Sequence, residues 1–126
     1  MKKRIDIKKA LAFFYSISVK DKAEWVLKSL IQQKVFSDVE IKKLKEEASK
    51  GIEYVAKKIK DPYTKHWIYR QIYLVAYDDR VITKSEQKIL RKVSELLKIN
   101  PDRVKKIENW VKKYYKTLDE GERIIN

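Results

Sequence analysis

The sequence predicts an all-α fold: a compact single-domain helical bundle of six to seven helices with two similar halves. Three observations predict it. Apolar residues recur at helical spacing in one segment after another, with no strand-like alternation. Two Gly and two Pro in 126 residues leave little material for hairpin turns. Two stretches 46 residues apart also repeat one pattern, Val35-Phe36-Ser37-Asp38-Val39-Glu40 and Val81-Ile82-Thr83-Lys84-Ser85-Glu86. In each, an apolar pair leads into a hydroxyl residue with Glu three positions later. That is a capping box, in which the hydroxyl accepts from the Glu backbone N–H and the Glu carboxylate reaches back to the cap.

The first helix runs from about Asp6 to Val19, with Ile7, Ala10, Leu11, Phe14 and Ile17 on one face. Asp21 is the N-cap of a second, Lys22 to Gln33, burying Ala23, Val26, Leu27, Leu30 and Ile31. Ser37 opens a third that continues to Lys60 on the stripe Ile41, Leu44, Ala48, Ile52, Val55 and Ile59. Gly51 lies inside that stripe and marks a kink or a close helix crossing. Asp61-Pro62 ends the third helix and starts a fourth, because Pro is tolerated in a first turn. From Trp67 to Tyr77 the fourth is apolar nearly all round, so it is expected at the centre. Thr83 caps a fifth, ending near Ile99, with Ile89, Leu90, Val93, Leu96 and Leu97 inward. Asn100-Pro101 opens a sixth, with Val104, Ile107, Val111, Tyr114 and Leu118 on its inner face. Residues 1–126 form one domain, with a basic N-terminal arm at 1–5 and a frayed tail at 119–126. The expected core includes Ile72, Val75, Val93, Leu97, Val111 and Tyr114.

The charge is strongly one-sided. Thirty-one basic against 18 acidic residues give +13, and Lys supplies 25 of the cations. Residues 1–60 carry +8 (16 basic, 8 acidic) and 61–126 carry +5 (15 basic, 10 acidic), so no tail concentrates it. Such a field favours polyanions, and a surplus of Lys, Glu and Ile is equally the composition of proteins from hot environments. The lack of cysteine excludes thiolate chemistry and disulfides and fits a cytoplasmic location. Met1-Lys2-Lys3-Arg4 begins like a secretory leader, but Asp6, Lys8 and Lys9 interrupt its apolar core, and Ala10 to Val19 is too short for a membrane span.

The run Leu74-Val75-Ala76-Tyr77-Asp78-Asp79-Arg80-Val81-Ile82-Thr83-Lys84-Ser85-Glu86, followed by Leu90 and Leu96-Leu97-Lys98-Ile99-Asn100-Pro101, resembles the tellurite-resistance TerB-like family. Members typically show a helix ending in Ala-Asp-Gly, an apolar residue, a Ser or Thr cap, a Glu, and a helix closing with Leu-Gly-Leu. The likeness covers about residues 22–115, with Ile31 to Glu40 as a degenerate first copy. It implies a bundle of about seven helices in two similar halves, acting as a non-catalytic module in stress and defence. Two departures stand out: Arg80 replaces the usual Gly, and Gln32-Gln33-Lys34 replaces the acidic turn of the first half. Acidic, metal-associated surfaces known in some members are not expected on so basic a chain.

Candidate site residues are few. Asp79, Ile82 and Glu86 have the spacing of the second half of an EF-hand loop, but Tyr77 and Val75 stand where oxygen ligands are needed and Arg80 where Gly is. Asp78, Asp79 and Glu86 are therefore weak metal candidates, read first as turn and cap residues. His66 has no carboxylate at three or four residues' distance and no Cys to join it. Tyr69, Tyr73 and Tyr77 line up at i, i+4 and i+8, either as a core stripe with hydroxyls at its rim or as a platform for bases. Lys105, Lys112 and Lys116 form one stripe on the sixth helix and Lys106 and Lys113 another. With Lys84, Lys88, Arg91 and Lys92 on the fifth they make the nucleic-acid candidates, suited to phosphates and not to base readout. Trp25 and Trp110 lie beside their apolar stripes and are expected to be partly exposed, as at a protein interface. No catalytic residue and no cofactor is expected. The expected role is a non-enzymatic interaction module with a basic face and a protein partner. The alternative is a non-specific nucleic-acid-binding protein, such as a nucleoid component or a small helical subunit of an RNA-guided complex.

Overall fold

A computed structural model describes residues 5–20, 23–30 and 38–126. Among them the chain forms α1 (Ile7–Lys20), a 3-10 helix (Glu24–Leu30), α2 (Asp38–Ala48), α3 (Ile52–Lys58), α4 (Pro62–Ala76), α5 (Lys84–Leu96) and α6 (Pro101–Ile125), with no strand. One hydrophobic core joins α1, the 3-10 helix, α3, α4, α5 and α6. No helix among the described residues is long and apolar enough to cross a membrane.

Two helices are central, where the sequence predicts one. α4 packs on the 3-10 helix, α5, α6 and α1, and α1 packs on the 3-10 helix, α2, α3 and α4. In α1 the run Ala10-Leu11-Ala12-Phe13-Phe14 is buried without a break, so its apolar surface is wider than one stripe. Thr64 ties the two together: its hydroxyl accepts from the Asp6 backbone N–H at 3.0 Å and donates to Asp61 at 2.9 Å. Phe14 meets Trp67 edge to face, with ring centroids 6.2 Å apart.

The second segment is a 3-10 helix and not the α-helix expected over Lys22 to Gln33. Among the described residues Val26 of this helix and Ala23 just before it, three apart, are buried, and a three-residue repeat is the one that eclipses side chains in 3-10 geometry. Asp21, the Gln32-Gln33-Lys34 turn, the Ser37 cap and arm residues 1–4 lie outside the described residues.

The third helix is two. α2 ends at Ala48, Gly51 takes φ +111° and ψ 150°, and α3 begins at Ile52. The stripe continues across the break: Ile52, Val55 and Ile59 are buried, and α3 packs on α1 as α2 does. The 46-residue repeat survives in the backbone: α2 starts at Asp38 and α5 at Lys84. Each is followed by a residue of positive φ, Gly51 or Lys98 (φ 52°), and then a second helix. The halves then diverge, since α3 has 7 residues and α6 has 25.

Local capping chemistry sets the later boundaries. Asp61 accepts from the backbone N–H groups of Tyr63 and Thr64, with Pro62 in the first turn. Thr83 and Glu86 make both bonds of the capping box, at 3.1 and 2.8 Å. Asn100 accepts from Asp102 N–H at 2.8 Å ahead of Pro101. Thr83→Ala should lower stability by about 1 kcal/mol in urea unfolding, while Lys88→Ala, exposed on α5 and outside the cap bonds, should change it by less than about 0.5 kcal/mol.

α6 departs from expectation in two ways. It is helical to Ile125, through Gly121 and past the expected end at Leu118. Arg80 holds the extension by pairing with Asp119 at 2.9 and 2.5 Å. Tyr114 is 43% exposed and Leu118 45%, so neither belongs to the core, and Val75 is only half-buried. The line facing α4 runs Val104, Ile107, Val111 and then Tyr115, whose hydroxyl donates to the Leu74 carbonyl at 2.7 Å. At about 100° per residue on a straight helix, Tyr115 lies about 20° round from Val104 and Tyr114 about 80°, so 115 takes the inward position.

Candidate binding cleft between α4, α5 and α6

α5 and α6 each pack on α4 and stand apart from one another, leaving a cleft of about 620 Å³ with α4 along its base. That volume lies in the range of small-ligand and peptide sites. Tyr69, Tyr73 and Tyr77 fall one helical turn apart and stack in a column along the base, with centroids 6.2 and 5.9 Å apart. Tyr115 closes the column 5.8 Å from Tyr77. The α5 wall offers Gln87, Leu90, Arg91 and Ser94, with Ile82 ahead of the helix; the α6 wall offers Val104, Glu108 and Lys112.

The column is built rigidly. The Tyr69 hydroxyl donates to Glu108 Oε2 at 2.6 Å, spanning from base to wall. Burial, and then Glu108's negative charge, push the Tyr73 phenol up to about 12. Burial and the bond to Glu108 raise Tyr69 as well. Both phenols therefore stay neutral donors through the physiological range. Their ring faces are closed off, since Tyr69 is 2% exposed and Tyr73 3%. Of the two readings of the tyrosine row, the core stripe with hydroxyls at its rim is the one the packing matches.

The sequence-predicted cations divide by helical geometry. Arg91 and Lys112 line the cleft from opposite walls. Lys84 lies two turns from Arg91, and Lys88 one turn, both exposed along the α5 rim. Lys105 and Lys116 are exposed one turn from Glu108 and Lys112 respectively, along the α6 rim. Lys92 is set about 100° round the helix from Arg91, away from the cleft. Lys106 and Lys113 occupy the far side of α6. A second cavity of about 490 Å³, between α1 and the α2–α3 junction, has Lys45 as its one charged lining residue among the described residues.

Asp79 and Glu86, two of the three weak metal candidates, are engaged in local structure, and Asp78 is exposed. Asp79 accepts from the Val81 N–H at 3.1 Å, and Glu86 from the Thr83 N–H at 2.8 Å. No group of three His, Cys, Asp or Glu that could hold a metal ion occurs among the described residues. His66 is half-buried near the start of α4.

Sequence reasoning missed three participants. Glu108 looks like one more surface charge, although its position one turn after Val104 places it at the cleft edge. Arg70 lies 5.2 Å over the Trp110 ring, and Trp110 in turn stacks on Tyr114 at 5.5 Å, so this exposed aromatic pair is held in a fixed orientation. Arg80 adopts φ +66° where most residues avoid positive φ. It offsets that cost by stacking 4.2 Å over Tyr115, pairing with Asp119 and donating to the Asp78 carbonyl. Its pairing also holds the Asp119 carboxyl below the usual carboxylate range.

Comparison with family models, curated proteins and solved structures finds no match to this chain.

Proposed function

We propose that the chain is a non-enzymatic TerB-like interaction module, serving a cytoplasmic stress or defence system, that receives its partner in the α4–α5–α6 cleft. The observation that carries the reading is the cleft itself: Arg91 and Lys112 face it from opposite walls over a fixed tyrosine base. The sequence resemblance over about residues 22–115 supports the family part. So do the repeated helix–break–helix order and the left-handed backbone at Arg80, the position that the family gives to Gly. The test is an affinity pull-down comparing the wild-type chain with an Arg91→Glu/Lys112→Glu variant, both bound protein and bound nucleic acid being analysed. A protein recovered by the wild type and lost from the variant fits the proposal. Identical recoveries would remove the cleft as the site.

Nucleic acid is the second reading, favoured by Lys84, Lys88, Lys105 and Lys116, all exposed and flanking the same cleft. Binding would be electrostatic and independent of sequence, because Lys contacts to phosphate act through counterion release and carry no base information. Changing Lys105, Lys112 and Lys116 together to Gln should then lower the salt slope on duplex DNA by up to about three. A slope that does not change would place any DNA contact elsewhere.

A further inference from the structure

We infer that the cleft takes an acidic amphipathic helix presented by a protein partner. This rests on the cleft being the binding site and names the class of occupant. Shape supplies the first reason. Two helices standing apart on a third form a trough, and α5, at 13 residues, makes one wall about 20 Å long at about 1.5 Å per residue. Surface supplies the second. Ile82 beside the α5 wall, Val104 on the α6 wall and Tyr77 on the base are half-buried, and present apolar atoms to the hydrophobic face of a helix laid over them.

Charge decides between partners. Cations line both rims, Lys84 and Arg91 on α5 and Lys105 and Lys112 on α6, so acidic residues on either side of an apolar stripe would each meet a counter-charge. A nucleic acid strand fits less well. Glu108, fixed by the Tyr69 hydroxyl, puts a carboxylate inside the cleft: a strand with a phosphate on every nucleotide has to pass it, whereas a helix sets an apolar residue opposite it and keeps its acids at the rims. The buried faces of Tyr69 and Tyr73 leave no platform there for bases to stack on.

The test uses the full chain and a fluorescein-labelled peptide of about 14 residues, about as long as α5 when helical. It carries Leu on one face and Glu on both flanks. A scrambled peptide of the same composition and an oligothymidine of similar length serve as competing probes, and amide shifts of the labelled protein map the contact. The amphipathic peptide should bind at least about tenfold more tightly than the scrambled one. Its shifts should centre on Ile82, Leu90 and Val104. Arg91→Glu/Lys112→Glu should weaken it about tenfold, and Lys106→Glu/Lys113→Glu, on the far side of α6, by less than about twofold. All four substituted residues are exposed, so each variant should melt like the wild type. Equal binding of the scrambled peptide would overturn the helix. Oligothymidine shifting the cleft while the peptide does not would overturn the inference and leave the cleft as the site. Silence of the cleft towards every probe would remove both.

Discussion

Tyr69→Ala should cost the fold about 3–5 kcal/mol, the largest loss expected from any single change in α4. Three effects add. The ring is 2% exposed and stacks on Tyr73, so its removal leaves a cavity in the layer joining α4 to α6. Neighbouring rings cannot collapse into that space, because Tyr73 is held by Tyr77, and Tyr77 by Tyr115. Glu108 also loses the phenol that donates to it at 2.6 Å. Tyr69→Phe separates the terms: it keeps the packing and removes one hydrogen bond to a charged acceptor, for about 1–2 kcal/mol, since Glu108 is only half-buried. Urea unfolding at constant m-value measures both. If the Ala variant fell within about 1 kcal/mol of wild type, the tyrosine column would not be the joint between the two helices.

The parts of this fold legible in the sequence are those that depend on neighbours a few residues away. Asp61-Pro62, Thr83 with Glu86, and Asn100-Pro101 fix helix starts through bonds that span at most three residues, and each was readable as a string. The all-helical fold follows for the same reason: periodicity is local. What failed depended on tertiary context. The stripe through Gly51 reads as one helix with a kink or close crossing at the glycine, because the apolar spacing carries on; the glycine does mark the spot, but the helix breaks there outright. Tyr114 reads as core because it sits at heptad spacing, but α4 accepts Tyr115 at that level. The cleft was legible only as separate cations. Arg91 and Lys112 are 21 positions apart and meet only through the way α5 and α6 lean on α4.

Gly51→Ala should cost about 1–3 kcal/mol, next after the Tyr69 truncation. A Cβ on Gly51 would meet nothing within 4 Å, so steric crowding by neighbours contributes nothing. The cost is in the backbone: φ +111° with ψ 150° is a conformation that residues carrying a Cβ essentially do not adopt. The variant has one escape, which is to straighten α2 and α3 into the continuous helix that the apolar stripe permits. Helix content by circular dichroism would then rise, and Ile52, Val55 and Ile59 would leave the core they share with α1 and α4. Lys98, at the matching break of the second half, is the control. At φ 52° it occupies the left-handed region that Gly tolerates freely, so Lys98→Gly should change stability by less than about 1 kcal/mol. Loss at Gly51 with little change at Lys98 would mark the α2–α3 break as a backbone requirement. Equal tolerance at both would mean that Gly51 is not held in that conformation in solution.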